Sequence, residues 1–246
     1  SSKYDLFKKV LYSILIQEEF KNFFENQEDD AEKLVHAMAD FVDANDSINE
    51  YDKVERGREN SIYDDINFTV KNSAMLTLSE LRLVAGMSDD IYEGLKDYLT
   101  VYHTNETVNI CLADERIADS LIVHYTNFSE CATPIKEDDE ERIEELRNIA
   151  LAYCPDTTEV AKGLNVELGL ISENEDADST SESKSTSSKV ADCEVQFDEL
   201  ITDKNDIFRI TGTGSVNGIA TVITVILDAS SSKPSSWKVL YNQIYW

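Results

Sequence analysis

Hard oxygen donors crowd one short stretch of this chain. Asp40-Phe41-Val42-Asp43-Ala44-Asn45-Asp46-Ser47 holds three carboxylates and an amide, and Glu59 and Asn60 follow downstream. Oxygen ligands at odd spacing in a loop are what calcium takes. Counted as an EF-hand loop from Asp43, positions 3, 5 and 7 are Asn45, Ser47 and Asn49, which are acceptable. Position 6, however, is Ile48 instead of Gly, and position 12 is Val54 instead of Glu. The stretch is therefore not an EF-hand. A calcium loop of another kind and an acidic, capped helix end both fit these residues.

Other chemistry is sparse. Leu78 to Leu95 has the outline of a helix-hairpin-helix, with Val84-Ala85-Gly86-Met87 as its turn. In nucleic-acid-binding hairpins the amides at the second helix's start take a phosphate. Here Ser88-Asp89-Asp90 fills that place, and two carboxylates satisfy the helix dipole themselves and repel phosphate. The hairpin is read as structural, and Val108-Asn109-Ile110 with Ala113 to Leu121 as a degenerate second unit. No nucleophile, base and orienter stand in a recognisable pattern, and there is no P-loop or dinucleotide fingerprint. Catalysis is not expected. The four cysteines, Cys111, Cys131, Cys154 and Cys193, form no C-x-x-C pair, which leaves a zinc site without support. Their even number permits disulfides in an oxidising compartment, and Cys131–Cys154, which flank one helical segment, are the first pair to expect. Four buried apolar thiols fit equally well.

The elements that position these residues divide in two. Leu6, Phe7, Val10, Leu11, Ile14 and Leu15 recur at helical spacing behind Asp5, a plausible cap, and Leu34, Val35, Met38, Phe41 and Val42 repeat the pattern. Thr77-Leu78-Ser79-Glu80 fits a capping box for a third helix. A fourth follows Ser88, a fifth runs from Ala113 to Tyr125 and a sixth from Ile135 to Tyr153. Between 172 and 189 there are seven serines, two threonines and five acids with no large apolar residue, a composition that does not repay its ordering entropy. Beyond it the period becomes two. Cys193, Val195 and Phe197 alternate with polar residues, Ile207 to Thr213 and Ile219 to Leu227 flank the hairpin signal Asn217-Gly218, and Trp237 to Trp246 alternates in part. The expected architecture is α+β: a helical domain over 1–171, a disordered acidic, serine-rich linker over 172–189, and an antiparallel sheet over 190–246. That sheet needs a cover for its apolar face, from the helical part or from a helix upstream of Ser1.

Composition narrows the function. With 49 acidic and 22 basic residues among 246, the net charge is −27. That density of negative charge disfavours nucleic acid and anionic lipid as partners. Only 8 glycines and 3 prolines punctuate the chain, which favours long helices. The apolar run Ile219 to Leu227 is far too short to span a bilayer, which takes about 20 residues.

Five segments, in order, resemble the K-type minor pseudopilin family of bacterial type II secretion systems. They are Ala39 to Asp46; Arg56-Gly57-Arg58-Glu59-Asn60 with Tyr63; Leu78 to Met87; Leu95 to Tyr102; and Val108 to Ala113. The family's versions read approximately D-W-x-D-x-D, G-A-E-x-x-Y, E-L-x-x-V-x-G-M, L-T-V-Y and N-I-N-T-A. This chain departs with Phe41 for the Trp, Arg58 for the Ala and Cys111-Leu112 for the Asn-Thr pair. The resemblance implies helix-hairpin-helix or sterile-alpha-motif-like units inserted into a small pseudopilin α/β domain, whose long N-terminal helix belongs upstream of Ser1. It implies a non-enzymatic subunit at the tip of a periplasmic pseudopilus, anchored in the inner membrane before assembly. There it would be complexed with the I- and J-type minor pseudopilins, would start the pseudopilus and limit its length, and would touch exported proteins. Some members bind calcium in the helical domain, and the resemblance carries that ligand onto Asp43, Asn45, Asp46 and Glu59. The rival reading is a secreted or periplasmic protein- or ligand-binding module with a calcium-stabilised helical head.

Overall fold

The computed structural model describes residues 2–45, 47–48, 50–51, 54–55, 70–102, 107–128, 132–136, 138–171, 196–217 and 219–245. The expected linker over 172–189 lies outside them.

Helix α1 (Ser2–Leu15) buries the stripe Leu6, Val10, Ile14 and Leu15, the spacing that one helical face dictates. Asp5 stands inside its first turn and pairs with Lys8 at 2.9 Å, so it is not the cap that the sequence suggests. A 3-10 turn (Glu18–Phe23) tucks Phe20 under the core and leads to α2 (Gln27–Val42). The first turn of α2 carries Glu28, Asp29 and Asp30, the charge that a helix N-terminus favours. Two short strands, β1 (Glu50–Tyr51) and β2 (Val54–Glu55), pair antiparallel.

The expected third helix is a 3-10 helix, Leu78–Leu83. Its capping carboxylate is where the sequence puts it: Glu80 accepts from the Thr77 amide at 3.0 Å. The Lys71 ammonium, 2.7 Å from Glu80, holds that carboxyl below its ordinary range. The hairpin turn ends at Gly86, whose φ of +87° is a conformation open to glycine at little cost. The Ser88 hydroxyl then accepts from the Ile91 amide at 3.1 Å and starts α3 (Asp89–Leu95). Asp139 caps α5 (Glu140–Ala152) and Asp156 caps α6 (Thr157–Glu167), a helix absent from the sequence expectation.

Helix α4 (Glu115–Phe128) packs on α1 and runs antiparallel to α5, as the Arg147–Asp119 ion pair at 2.6 Å and the Cys111–Cys154 bond together show. The disulfide fits that geometry. An antiparallel pair that joins 119 to 147 brings 111 beside 154, and Cys111–Cys154 is the bond that forms, with Cα atoms 5.8 Å apart. The expected Cys131–Cys154 pairing is thereby corrected; Cys131 and Cys193 lie outside the described residues.

Of the alternation expected over Cys193, Val195 and Phe197, the first two lie outside the described residues, and Phe197 opens a 3-10 turn, Phe197–Glu199. Phe197 and Leu200 are fully buried in the helical core, with the Phe197 ring 4.9 Å from that of Tyr125. The Val108 amide donates to the Leu200 carbonyl and the Thr202 amide to the Val108 carbonyl, so this segment is sewn into the head. The sheet proper starts later: β3 (Ile207–Val216), β4 (Ile219–Asp228) and β5 (Lys238–Tyr245), antiparallel in that order. The turn between β3 and β4 has Asn217 at φ +53°. No helix among the described residues is long and apolar enough to cross a membrane.

Candidate functional site

Cross-strand partners share a face of a sheet, so the register sorts its side chains. Phe208 opposes Leu227, Ile210 opposes Val225, Gly212 opposes Ile223 and Val216 opposes Ile219; across β4, Ile223 opposes Ile244 and Leu227 opposes Val239. One face is therefore almost entirely apolar. The other carries Arg209, Thr211, Thr213, Thr224, Tyr241 and Gln243, and turns towards the helical head. The apolar face is open: Ile210 is 51% exposed, Val216 73%, Ile219 69% and Val239 57%. Of the sheet's described residues only Ile226 is buried, and it stands on the face that meets the head. Apolar area in water costs roughly 25 cal/mol per Å², which makes this face the chain's candidate interaction surface.

The acidic stretch sits at the other end of α2. Asp43 is the C-cap, and its Oδ1 accepts from the Asn45 amide at 3.1 Å; Asn45 Oδ1 accepts from the Ser47 amide at 2.8 Å, and the Asn45 carbonyl accepts from Asn72 Nδ2 at 3.2 Å. These are successive Asx turns that hold two oxygen-bearing side chains on one tight loop. Asp46 and Glu59, the other two expected ligands, lie outside the described residues, so the structure brings only Asp43 and Asn45 together. Among the described residues no group of three or more His, Cys, Asp or Glu side chains is placed to hold a metal ion. The electrostatics of the spot are nonetheless distinctive. Burial first, then the carboxylates of Asp43, Asp40 and Asp5, push the Tyr4 phenol up to about 12. Asp40 itself is fully buried, a burial that its position on the inward stripe of α2 could have signalled.

One pair of residues that sequence reading missed resembles catalytic machinery. Ser13 of α1 and His124 of α4 meet at 2.5 Å beside a cavity of about 520 Å³. Burial, then the Lys9 charge, lowers the His124 pKa to about 4, so its ring is neutral at pH 7. The carboxylate that lines the same cavity, Asp119, is engaged by Arg147 rather than by the imidazole. Ser13 and His124 thus act as a polar tie between two core helices, each satisfying the other in a part-buried seam.

Comparison with known proteins places these features. Residues 15–104 match the family model described as type II secretion system (T2SS), protein K. No curated protein matches the chain. Among solved structures the chain is similar to one in the crystal structure of the GspK-GspI-GspJ complex from the type 2 secretion system of enterotoxigenic Escherichia coli. The TM-score is 0.55 at 17% identity, over 97% of this chain and 70% of that one. Residues 15–104 thus match the type II secretion system protein K family in sequence, and over nearly its whole length the chain shares the fold of a chain from the GspK-GspI-GspJ complex.

Proposed function

We propose that this chain works without catalysis at the tip of a type II secretion pseudopilus, assembled with the I- and J-type minor pseudopilins in the periplasm and supporting protein export across the outer membrane. The observation that carries the reading is the unequal distribution of apolar surface. The head closes its own core, whereas the sheet leaves one apolar face open along its whole length. The pseudopilin α/β domain that the family resemblance implies has a long helix to cover such a face. A head of this bulk, set against the opposite face, suits a position with no subunit above it. The Cys111–Cys154 bond fits an oxidising compartment.

The test is co-expression of the full-length protein with the I and J pseudopilins of the same system. A ternary complex is expected, and it should be lost when Ile223→Asp and Val239→Asp place charges on the open face. Recovery of the unaltered protein alone, with neither partner, would sink the reading.

Calcium at Asp43, Asn45, Asp46 and Glu59 is part of the same proposal. Its support is the Asx-turn loop at Asp43 and Asn45, with the Asp43, Asp40 and Asp5 carboxylates near Tyr4, whose phenol is raised first by burial and then by those charges. Neutralisation of those charges by a cation is expected to contribute ~1 kcal/mol, a rise of a few degrees in Tm. Asp43→Ala should abolish the rise. Superimposable melting curves with calcium and with chelator would end the calcium proposal without touching the assembly.

A further inference from the structure

The head and the polar face of the sheet do not close on one another. A cleft of about 670 Å³ separates them, inside the range of about 300–1,000 Å³ typical of small-ligand sites. A smaller recess of about 260 Å³ shares Leu78, Asp97, Tyr102, Arg209 and Ile226 with it.

One wall is a grid set by strand register. Thr211, Thr224 and Gln243 form one row across β3, β4 and β5, and Arg209, Ile226 and Tyr241 form the next. The opposite wall comes from the hairpin and α3, with Tyr102 beside it. Tyr102 from the head and Tyr241 from the sheet face each other at 6.4 Å between ring centroids, tilted by 36°.

Charge decides what such a cleft takes. Five lining residues are ionised, and each is paired: Arg82 with Glu93 at 2.9 Å and with Asp89, Lys96 with Glu93, and Arg209 with Asp97 at 3.1 Å. In a protein of net charge −27 this cleft is close to neutral. A phosphate or carboxylate ligand would meet Glu93 and Asp97 beside every cation, and an ammonium would meet the cations beside every acid. An apolar ligand would strip water from hydroxyls without replacing their hydrogen bonds. What the walls offer is the Thr211 and Thr224 hydroxyls, 3.4 Å apart and each with bonding capacity left over, the Gln243 amide N–H groups beside an oxygen that accepts from Tyr241, oriented ion pairs whose N–H and oxygen edges act as charge-assisted donors and acceptors, and the outer faces of two phenol rings. A sugar presents the matching surface, with hydroxyls around its edge and C–H groups on its face.

We propose that this cleft binds a neutral oligosaccharide, seated on the Thr211–Thr224–Gln243 row with a sugar ring against Tyr102 or Tyr241. The inference does not depend on tip assembly, and the two fail separately: Thr224→Val should leave co-purification with the partners intact.

The test titrates the whole chain with chitotetraose, cellotetraose and maltotetraose at millimolar concentration, by calorimetry and by amide chemical shifts. At least one is expected to bind, with shifts concentrated at 209–211, 224–226 and 241–243. Thr224→Val keeps the side-chain volume and removes the hydroxyl, and should weaken that binding about tenfold at an unchanged melting temperature. Tyr102→Ala should weaken it at least as much. The proposal is overturned if none of the three sugars binds, if neither substitution alters the affinity, or if inorganic phosphate or a neutral tetrapeptide occupies the cleft instead.

Discussion

The helical head and the sheet solve opposite problems with the same amino acids. In the head, Leu6, Leu15, Leu95, Leu121, Leu146 and Val160 are wholly buried, and even the polar Ser13 and His124 satisfy each other inside it. In the sheet, Ile210, Ile219, Ile223, Val239 and Ile244 are as apolar and stand between 43% and 69% exposed. The head's residues stabilise this chain; the sheet's residues are placed for something else to cover. The difference teaches that the sheet keeps its shape through strand pairing, ten residue pairs between β3 and β4, and through the contacts of one face with the head, while its other face stays in water in the isolated chain.

The largest expected effect breaks this contrast if it is wrong. Phe197→Ala removes a fully buried ring from against Tyr125 and should cost about 3–5 kcal/mol of head stability. Ile223→Ala on the open face removes a side chain that is 43% exposed and should cost less than about 1 kcal/mol in the isolated chain. Urea unfolding of both variants measures this, and comparable losses would mean that the sheet has a core of its own.

A second effect belongs to the head alone. His124 is neutral when folded, with its pKa lowered from 6.5 to about 4 by burial and by Lys9. Between those values the unfolded chain binds the extra proton, so this group's contribution to stability falls as the pH drops from about 6.5 towards 4. By pH 5 the loss is about 2 kcal/mol. His124→Gln cannot titrate, so its unfolding free energy should change less between pH 7 and pH 5 by about that amount. Parallel pH profiles for the two proteins would contradict the buried, neutral imidazole.

The sheet was the more legible half. The period of two, with Asn217 at the turn, gives β3, β4 and β5 to within three residues at every end, because strand side chains alternate whether or not a partner is present. The head was legible where its helices are long: α1, α2 and α5 follow from their apolar stripes. Helix α6 was not, since its buried residues, Val160, Ala161 and Leu164, are few and surround Gly163. That glycine reads as a breaker, yet the helix packs against it: a Cβ there would lie 2.5 Å from the half-exposed Tyr153 ring, which would have to shift. The disulfide was hidden for a related reason, because pairing Cys111 with Cys154 needs the antiparallel register of α4 and α5, which is a tertiary fact. For the calcium residues, spacing offered Asp43 and Asn45, which do share a loop, while the burial of Asp40 was legible in the apolar stripe of α2 that it stands on.

The smallest effect compares two glycines. At Gly94 in α3 an added Cβ would lie 2.7 Å from Cε1 of Phe20, whose ring is buried and has little room to yield. Alanine improves helix propensity by about 0.5–1 kcal/mol, but overpacking costs about 1–3, so Gly94→Ala should destabilise the chain. At Gly212 nothing lies within 4 Å of the same built atom, and the residue stands on the open face of the sheet. In the isolated chain Gly212→Ala should therefore leave Tm unchanged or raise it slightly, by the entropy it removes from the unfolded state, about 0.4–1 kcal/mol. The outcome should reverse in the assembled protein. If a helix lies across β3 closely enough to use the flat surface of Gly212 and Gly214, the added methyl meets it, and association with the I and J partners weakens while the isolated chain does not. A substitution silent in both states would mean that the covering element crosses the sheet over β4 and β5, and that the two glycines merely lighten an edge strand.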